Sequence, residues 1–130
     1  MTHVIDSDWV ADWLKGRPEA VQLLSSFGQG NLALSLITFG EIYEGVYFGM
    51  DPERHERVFL QFLRGVRVLP LTRPIMRRFA RIRGELRRNG NLIRDPDLLI
   101  AATALQHDLV LATRNRHHFE RIPGLRLQPA

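Results

Sequence analysis

Along the chain, apolar residues switch between short solid runs and longer stretches where they recur every three or four positions. That switching sets out the elements. His3-Val4-Ile5 is a short run that stops at Asp6. Leu32-Ala33-Leu34-Ser35-Leu36, residues 66–71 and Leu109-Val110-Leu111-Ala112-Thr113 are of the same type, and each reads as a buried strand. Pro70 argues that the third of these lies at an edge or ends early. Between the runs, Trp9, Val10, Trp13 and Leu14 fall at helical spacing, and Gly16 ends that helix. Pro18 opens a second helix with Val21, Leu24 and Phe27 on one face. A third begins around Thr38, carries Glu41, Ile42 and Val46, and ends near Gly49. A fourth runs from Pro52 to Gly65 over Val58, Phe59, Phe62 and Leu63. Pro74 opens a long Arg-rich helix striped by Ile75, Phe79, Ile82 and Leu86. After Asp97 nearly every side chain is small or aliphatic, which predicts a deeply packed helix with Asp95 as its cap and Pro96 at its first position. Leu92-Ile93 is a weak strand candidate. A helical turn near Phe119 and an extended piece, Leu125-Arg126-Leu127, complete the chain.

Strands alternating with helices predict an α/β fold, a three-layer sandwich around a mainly parallel sheet of four or five strands, with residues 1–130 forming one domain. A chain of 130 residues, 45% hydrophobic, can bury roughly two thirds of its unfolded surface. No apolar run approaches the roughly 20 residues of a membrane span, and the N-terminus lacks the build of a signal peptide, so a cytoplasmic location is expected. The absence of cysteine excludes disulfides and thiolate sites. Any metal therefore has to sit on carboxylates, histidines or carbonyls. Net charge is +4, and the 18 basic residues are one lysine, Lys15, and seventeen arginines. Arginine presents a planar fork suited to phosphates, which modestly favours a nucleic-acid partner.

In parallel sheets, ligands bind at the carboxyl ends of the strands. Asp6 directly follows the first strand, Glu41 lies near the start of the helix after the second, and Thr113-Arg114-Asn115 ends the fourth. Asp95 and Asp97 open the helix that leads into that fourth strand. Each acid has a structural rival role. Asp6 can cap the helix from Ser7, Thr38-Phe39-Gly40-Glu41 has the form of a capping box, and Asp95 suits a cap better than a metal. Two carboxylates about 4 Å apart repel by roughly 4 kcal/mol at an effective dielectric of 20, so a cluster of three calls for a cation or shared protons. Oxygen ligands suit Mg²⁺ or Mn²⁺, which can activate water and offset charge on a phosphate.

Val4-Ile5-Asp6-Ser7-Asp8, Ser35-Leu36-Ile37-Thr38-Phe39-Gly40-Glu41-Ile42, the run from Asp97 to Leu105, and Leu111-Ala112-Thr113-Arg114-Asn115 followed by Phe119-Glu120-Arg121-Ile122-Pro123-Gly124-Leu125 occur in that order. Together they resemble a PIN domain, most nearly the VapC toxin branch of toxin–antitoxin pairs. The resemblance implies a metal-dependent endoribonuclease acting on tRNA or another structured RNA. It makes Asp6, Glu41 and Asp97 the catalytic and metal-binding acids around Mg²⁺ or Mn²⁺. Ser7, Thr113 and Asn115 take auxiliary or substrate-positioning places. It further implies a VapB-type antitoxin whose tail blocks the site, a homodimer, and no membrane association. The chain departs from the family's pattern at Asn115 and His118, where many relatives carry an acid, which leaves open whether one metal binds or two. Asp8 replaces a usual Asn or small polar residue and is expected to face solvent.

Arg77, Arg81 and Arg114 are candidate contacts for RNA or antitoxin, against the plainer reading of a solvated helix surface. His117-His118 suits an exposed loop better than a metal site. Trp9 and Trp13 suit core or a dimer contact better than base stacking. Two further readings stand beside the nuclease. Asp6-Ser7-Asp8-Trp9-Val10 resembles the opening motif of aspartyl-phosphate phosphatases, with Asp6 as nucleophile and Asp8 as general acid. A catalytically silent PIN-like module could instead use its acids to hold a basic partner tail.

Overall fold

The computed structural model describes residues 1–129. Four strands, β1 (His3–Ile5), β2 (Leu32–Ser35), β3 (Arg67–Leu69) and β4 (Val110–Ala112), form one sheet in the order β3-β2-β1-β4. All three pairings are parallel. The helices fall between them: α1 (Ser7–Leu14) and α2 (Pro18–Ser26), α3 (Leu36–Tyr47) and α4 (Pro52–Phe62), α5 (Arg73–Arg88) and α6 (Asp95–Gln106), with α7 (Arg116–Phe119) after β4. The expected α/β sandwich is therefore present, its sheet wholly parallel. Leu125–Leu127 adds only a single bridge, Leu127 to Leu111, rather than a fifth strand.

Alternation along each strand separates the two helical layers. Val4, Ala33, Leu69 and Leu111 face a core shared with Leu86 of α5, Leu98, Ile100, Ala101 and Ala104 of α6, and Phe119 of α7. Their neighbours Ile5, Leu34 and Ala112 face the opposite core, with Val10, Leu24, Ile42, Val46, Phe59 and Phe62. Trp9 and Trp13 pack half-buried against this second core, and Trp13 meets Phe62 edge-on at 4.9 Å. β3 lies at the sheet edge, as Pro70 requires.

Three local expectations are corrected. α3 starts at Leu36, because Ser35 ends β2 and caps the helix at once, its hydroxyl accepting from Thr38 N–H at 3.0 Å. Thr38 is therefore inside the helix, no Thr38–Glu41 capping box forms, and Glu41 is left free. Asp95 does not cap α6: Arg94 occupies the cap position without a side-chain bond. The Asp95 carboxylate instead pairs with Arg83 of α5 at 2.8 Å. Leu92-Ile93 is irregular chain, with Ile93 buried in the first core. Among the described residues no helix is long and apolar enough to cross a membrane.

The chain steps from β1 outward to β2 and β3, then returns to β4 on the other side of β1. Strand order thus reverses at β1, and the crevice between the carboxyl ends of β1 and β4 is where such sheets bind ligands.

Candidate active site

Asp6 sits at that switch. Its backbone N–H donates to Ala112 O at 2.9 Å, locking the end of β1 to the end of β4. The residue is only 4% exposed, and its side chain is held at both oxygens. Oδ1 accepts from Ser7 N–H at 2.8 Å, the N-cap of α1, and Oδ2 accepts from the Thr113 hydroxyl at 2.6 Å. Thr113 is itself fixed by Asn115 N–H, which donates to Oγ1 at 3.0 Å. Burial nevertheless raises the Asp6 carboxyl above its ordinary value of 3.8; the Thr113 and Ser7 hydrogen bonds oppose the rise, and the nearby Asp8 and Asp97 charges add to it.

Glu41 reaches the same place from α3, and its surroundings identify its neighbours. Desolvation raises its carboxyl above the ordinary 4.5, the Asp6 and Asp97 charges push it further, and Arg94 and the Ser7 side chain pull back. Asp97 enters from the first turn of α6, 14% exposed, where the helix dipole favours an anion. The Asp97 charge thus acts on Asp6, and both act on Glu41, although the three come from distant segments of the chain. Their donor set fits a hard divalent cation: oxygens, with hydroxyls at Ser7 and Thr113, and a mutual repulsion that a cation removes. Among the described residues no three or more His, Asp or Glu side chains stand close enough together, as arranged here, to hold a metal ion between them. An ion that keeps several of its waters and takes only one or two direct carboxylates suits such a setting.

Residues 4–125 match the family described as PIN domain. The chain belongs to the PIN domain family. It is 33% identical over 130 residues to Ribonuclease VapC2 of Haemophilus influenzae, covering 98% of this chain and 97% of that protein. It is 30% identical over 128 residues to the tRNA(fMet)-specific endonuclease VapC of Salmonella typhimurium, with 98% and 97% coverage. Among solved structures, DNA-bound VapBC from Salmonella typhimurium is similar at a TM-score of 0.90 and 29% identity, covering 98% of this chain and 97% of that one. FitAcB from Neisseria gonorrhoeae is similar at a TM-score of 0.86 and 29% identity, with the same coverage.

Around the acids, this PIN domain arranges the other expected residues unequally. Ser7 lies beside Asp6 and lines a groove with Asp8 and Glu41. Asp8 is exposed, as expected, yet it borders that groove. Asn115 is exposed, and its side chain makes no capping bond to α7. Arg114 is not a free surface charge. It donates to Asp12 at 2.6 Å, and its guanidinium lies 3.9 Å over the Trp9 ring. Arg77 and Arg81 are exposed on α5 and make no ion pair among the described residues, whereas Arg78 and Arg83 are tied to Gln106 and Asp95 of α6.

Two neighbours of the acids stand out: Arg94, which carries no signal in the sequence, and His118, which the sequence marks only as a departure from the family's acid. Arg94, the residue at the cap of α6, acts on Glu41 with an opposing charge that lowers its carboxyl. His118 is not in an exposed loop: α7 turns it toward Asp97, with Nδ1 3.7 Å from Oδ2.

Proposed function

We propose that this PIN domain is a divalent-metal-dependent endoribonuclease, the toxin of a toxin–antitoxin pair, with Asp6, Glu41 and Asp97 as its catalytic and metal-binding acids. What supports the reading is the buried Asp6 held at the β1–β4 switch point, with the Asp97 charge acting on it and both charges acting on Glu41, in a chain similar from end to end to VapC ribonucleases. Bound Mg²⁺ or Mn²⁺ would supply an acidified water and offset charge developing on the scissile phosphate. Asp6, immobilised by Ser7 and Thr113, provides a carboxylate of fixed direction at no reorganisation cost. Asp97 faces it from the α6 terminus. Glu41 has a raised carboxyl and access to solvent, which suits it to accept a proton from the attacking water. Asn115, exposed beside Thr113, is placed to hydrogen-bond a substrate oxygen.

The substrate is proposed as tRNA or another structured RNA, by similarity to a relative named for tRNA(fMet). The unpaired Arg77 and Arg81 supply phosphate-neutralising charge, and Arg114 has guanidinium donors beyond those used on Asp12. The inhibitor is proposed as a VapB-type antitoxin tail. A groove of about 700 Å³ runs from Asp8 and Glu41 over Leu14, Val46 and Val58 to Arg54. It suits a segment with a basic side chain at the acidic end and apolar side chains along the floor. A homodimer and a cytoplasmic location belong to the same reading.

Digestion of tRNA with and without Mn²⁺ or Mg²⁺, by wild type, Asp6→Asn and Asp97→Asn, tests the activity. Metal-dependent cutting by the wild type and near-complete loss in both variants is the expected result. RNA left intact at every metal level points to the silent binding module. Hydrolysis of a phosphatase dye without RNA cleavage points to the aspartyl-phosphate reading, against which stands the engagement of both Asp6 oxygens.

A further inference from the structure

His118 approaches Asp97 from α7. Its placement is determined by packing. Phe119, the next residue, is 1% exposed and shares a core with Leu98 and Ala101 of α6. His118 N–H donates to Asn115 O at 3.1 Å, and the His117 ring packs against the imidazole at 4.3 Å between centroids. The side chain as a whole is 35% exposed, but Nδ1 is turned inward. Among the described residues, it is the one buried side-chain polar atom without a hydrogen-bond partner.

A buried imidazole nitrogen without a partner is costly unless something fills its place. Asp97 Oδ2 lies 3.7 Å away, too far for a direct hydrogen bond. Two ligands that share one ion at about 2.1 Å each lie about 3 Å apart when adjacent on an octahedron and about 4 Å apart when opposite. The observed separation of 3.7 Å is about 0.7 Å longer than an adjacent pair, so the two groups have to close on an ion to share it.

We propose that His118 Nδ1 is, together with Asp97, a ligand of the divalent ion in the acidic site, and that this nitrogen turns the site toward Mn²⁺ and away from Mg²⁺. The inference rests on the metal-dependent reading of the site given above. Mg²⁺ takes oxygen ligands in strict octahedral geometry and sheds water reluctantly, whereas imidazole suits first-row transition ions. An all-carboxylate site has no such bias built in. One nitrogen at Asp97 adds it without altering the acids that carry the charge.

The test is pulsed electron paramagnetic resonance on the tag-free full chain loaded with Mn²⁺, together with Mg²⁺ competition for the bound Mn²⁺. The wild type shows the nitrogen modulation of a directly bound imidazole, and His118→Asn abolishes it while His117→Asn keeps it. In the same variant the preference for Mn²⁺ over Mg²⁺ falls by at least roughly tenfold, since even the loss of an outer partner weakens a metal site by about 10–100-fold. His118→Gln repeats the measurement should the first variant fold poorly, and the wild-type spectrum decides the ligation without either. Bound Mn²⁺ with no nitrogen modulation in the wild type, or modulation that survives loss of His118, overturns this inference and leaves the nuclease reading standing. No binding of either ion, with RNA intact, overturns both.

Discussion

Thr113 donates a 2.6 Å hydrogen bond to Asp6 across 107 residues of sequence, tying the end of β4 to the end of β1 at the point where strand order reverses. The bond keeps a buried carboxylate facing one way, and it opposes the rise that burial imposes on that carboxyl. Thr113→Val keeps the shape and removes the donor. It leaves a buried acceptor unsatisfied, which costs about 1–3 kcal/mol of stability. Divalent-ion affinity drops with it, by roughly 10–100-fold, because an outer partner orients the ligand. Urea unfolding and Mn²⁺ titration read the two effects. A variant with wild-type values in both would make Thr113 a bystander.

The raised carboxyls of Asp6 and Glu41 give a pH signature of definite sign. A folded-state value above the unfolded one means that the native state holds the proton more tightly. These groups therefore favour the fold most strongly at pH below their ordinary values of 3.8 and 4.5, and that contribution is lost as pH rises through the raised values. In metal-free buffer Asp6→Asn is expected to be more stable than wild type at neutral pH, and the advantage shrinks as pH falls toward 3.8. Added Mn²⁺ reverses the order, since an ion that binds only the native state stabilises it by an amount that grows with the logarithm of its concentration above Kd. Thermal unfolding across pH, with and without Mn²⁺, measures both. A difference between the two proteins that does not move with pH would remove burial of charge as the cause.

Arg77 and Arg81 are exposed and make no ion pair among the described residues, so their replacement leaves the fold alone. The Arg77→Glu, Arg81→Glu double variant should keep its unfolding midpoint, bind tRNA more weakly, and show a shallower dependence of affinity on salt, because fewer phosphates are neutralised. An unchanged salt slope would dismiss α5 as an RNA contact. Arg83→Ala is the contrasting control: it breaks the exposed pair with Asp95 and costs at most about 1 kcal/mol of stability.

The layers were legible from sequence because Val4 and Ile5, Ala33 and Leu34, and Leu111 and Ala112 each split one strand between two cores. Local pattern was less reliable where one residue serves two elements. Ser35 ends a strand and caps a helix with no loop between them, so the helix was expected two residues late, and Glu41 then matched a capping box that does not form. Asp95-Pro96 reads as a helix start, which it is, but the partner of Asp95 is Arg83 on another helix, beyond the reach of any local rule. The path of Asp97 to the sheet edge depends on how α6 packs, since no strand precedes that helix. His118 is the clearest case: whether its ring meets solvent or Asp97 is decided by Phe119 anchoring α7 on α6.

The central claim is that Asp6, Glu41 and Asp97 serve one ion. Calorimetric titration of Mn²⁺ into wild type, Asp6→Asn, Asp97→Asn and the double variant tests it most directly, because residues that share a ligand are non-additive. One class of tight site in the wild type, lost in either single variant with no further loss in the double, is the expected result. Two independent sites, each abolished by only one substitution, would contradict it.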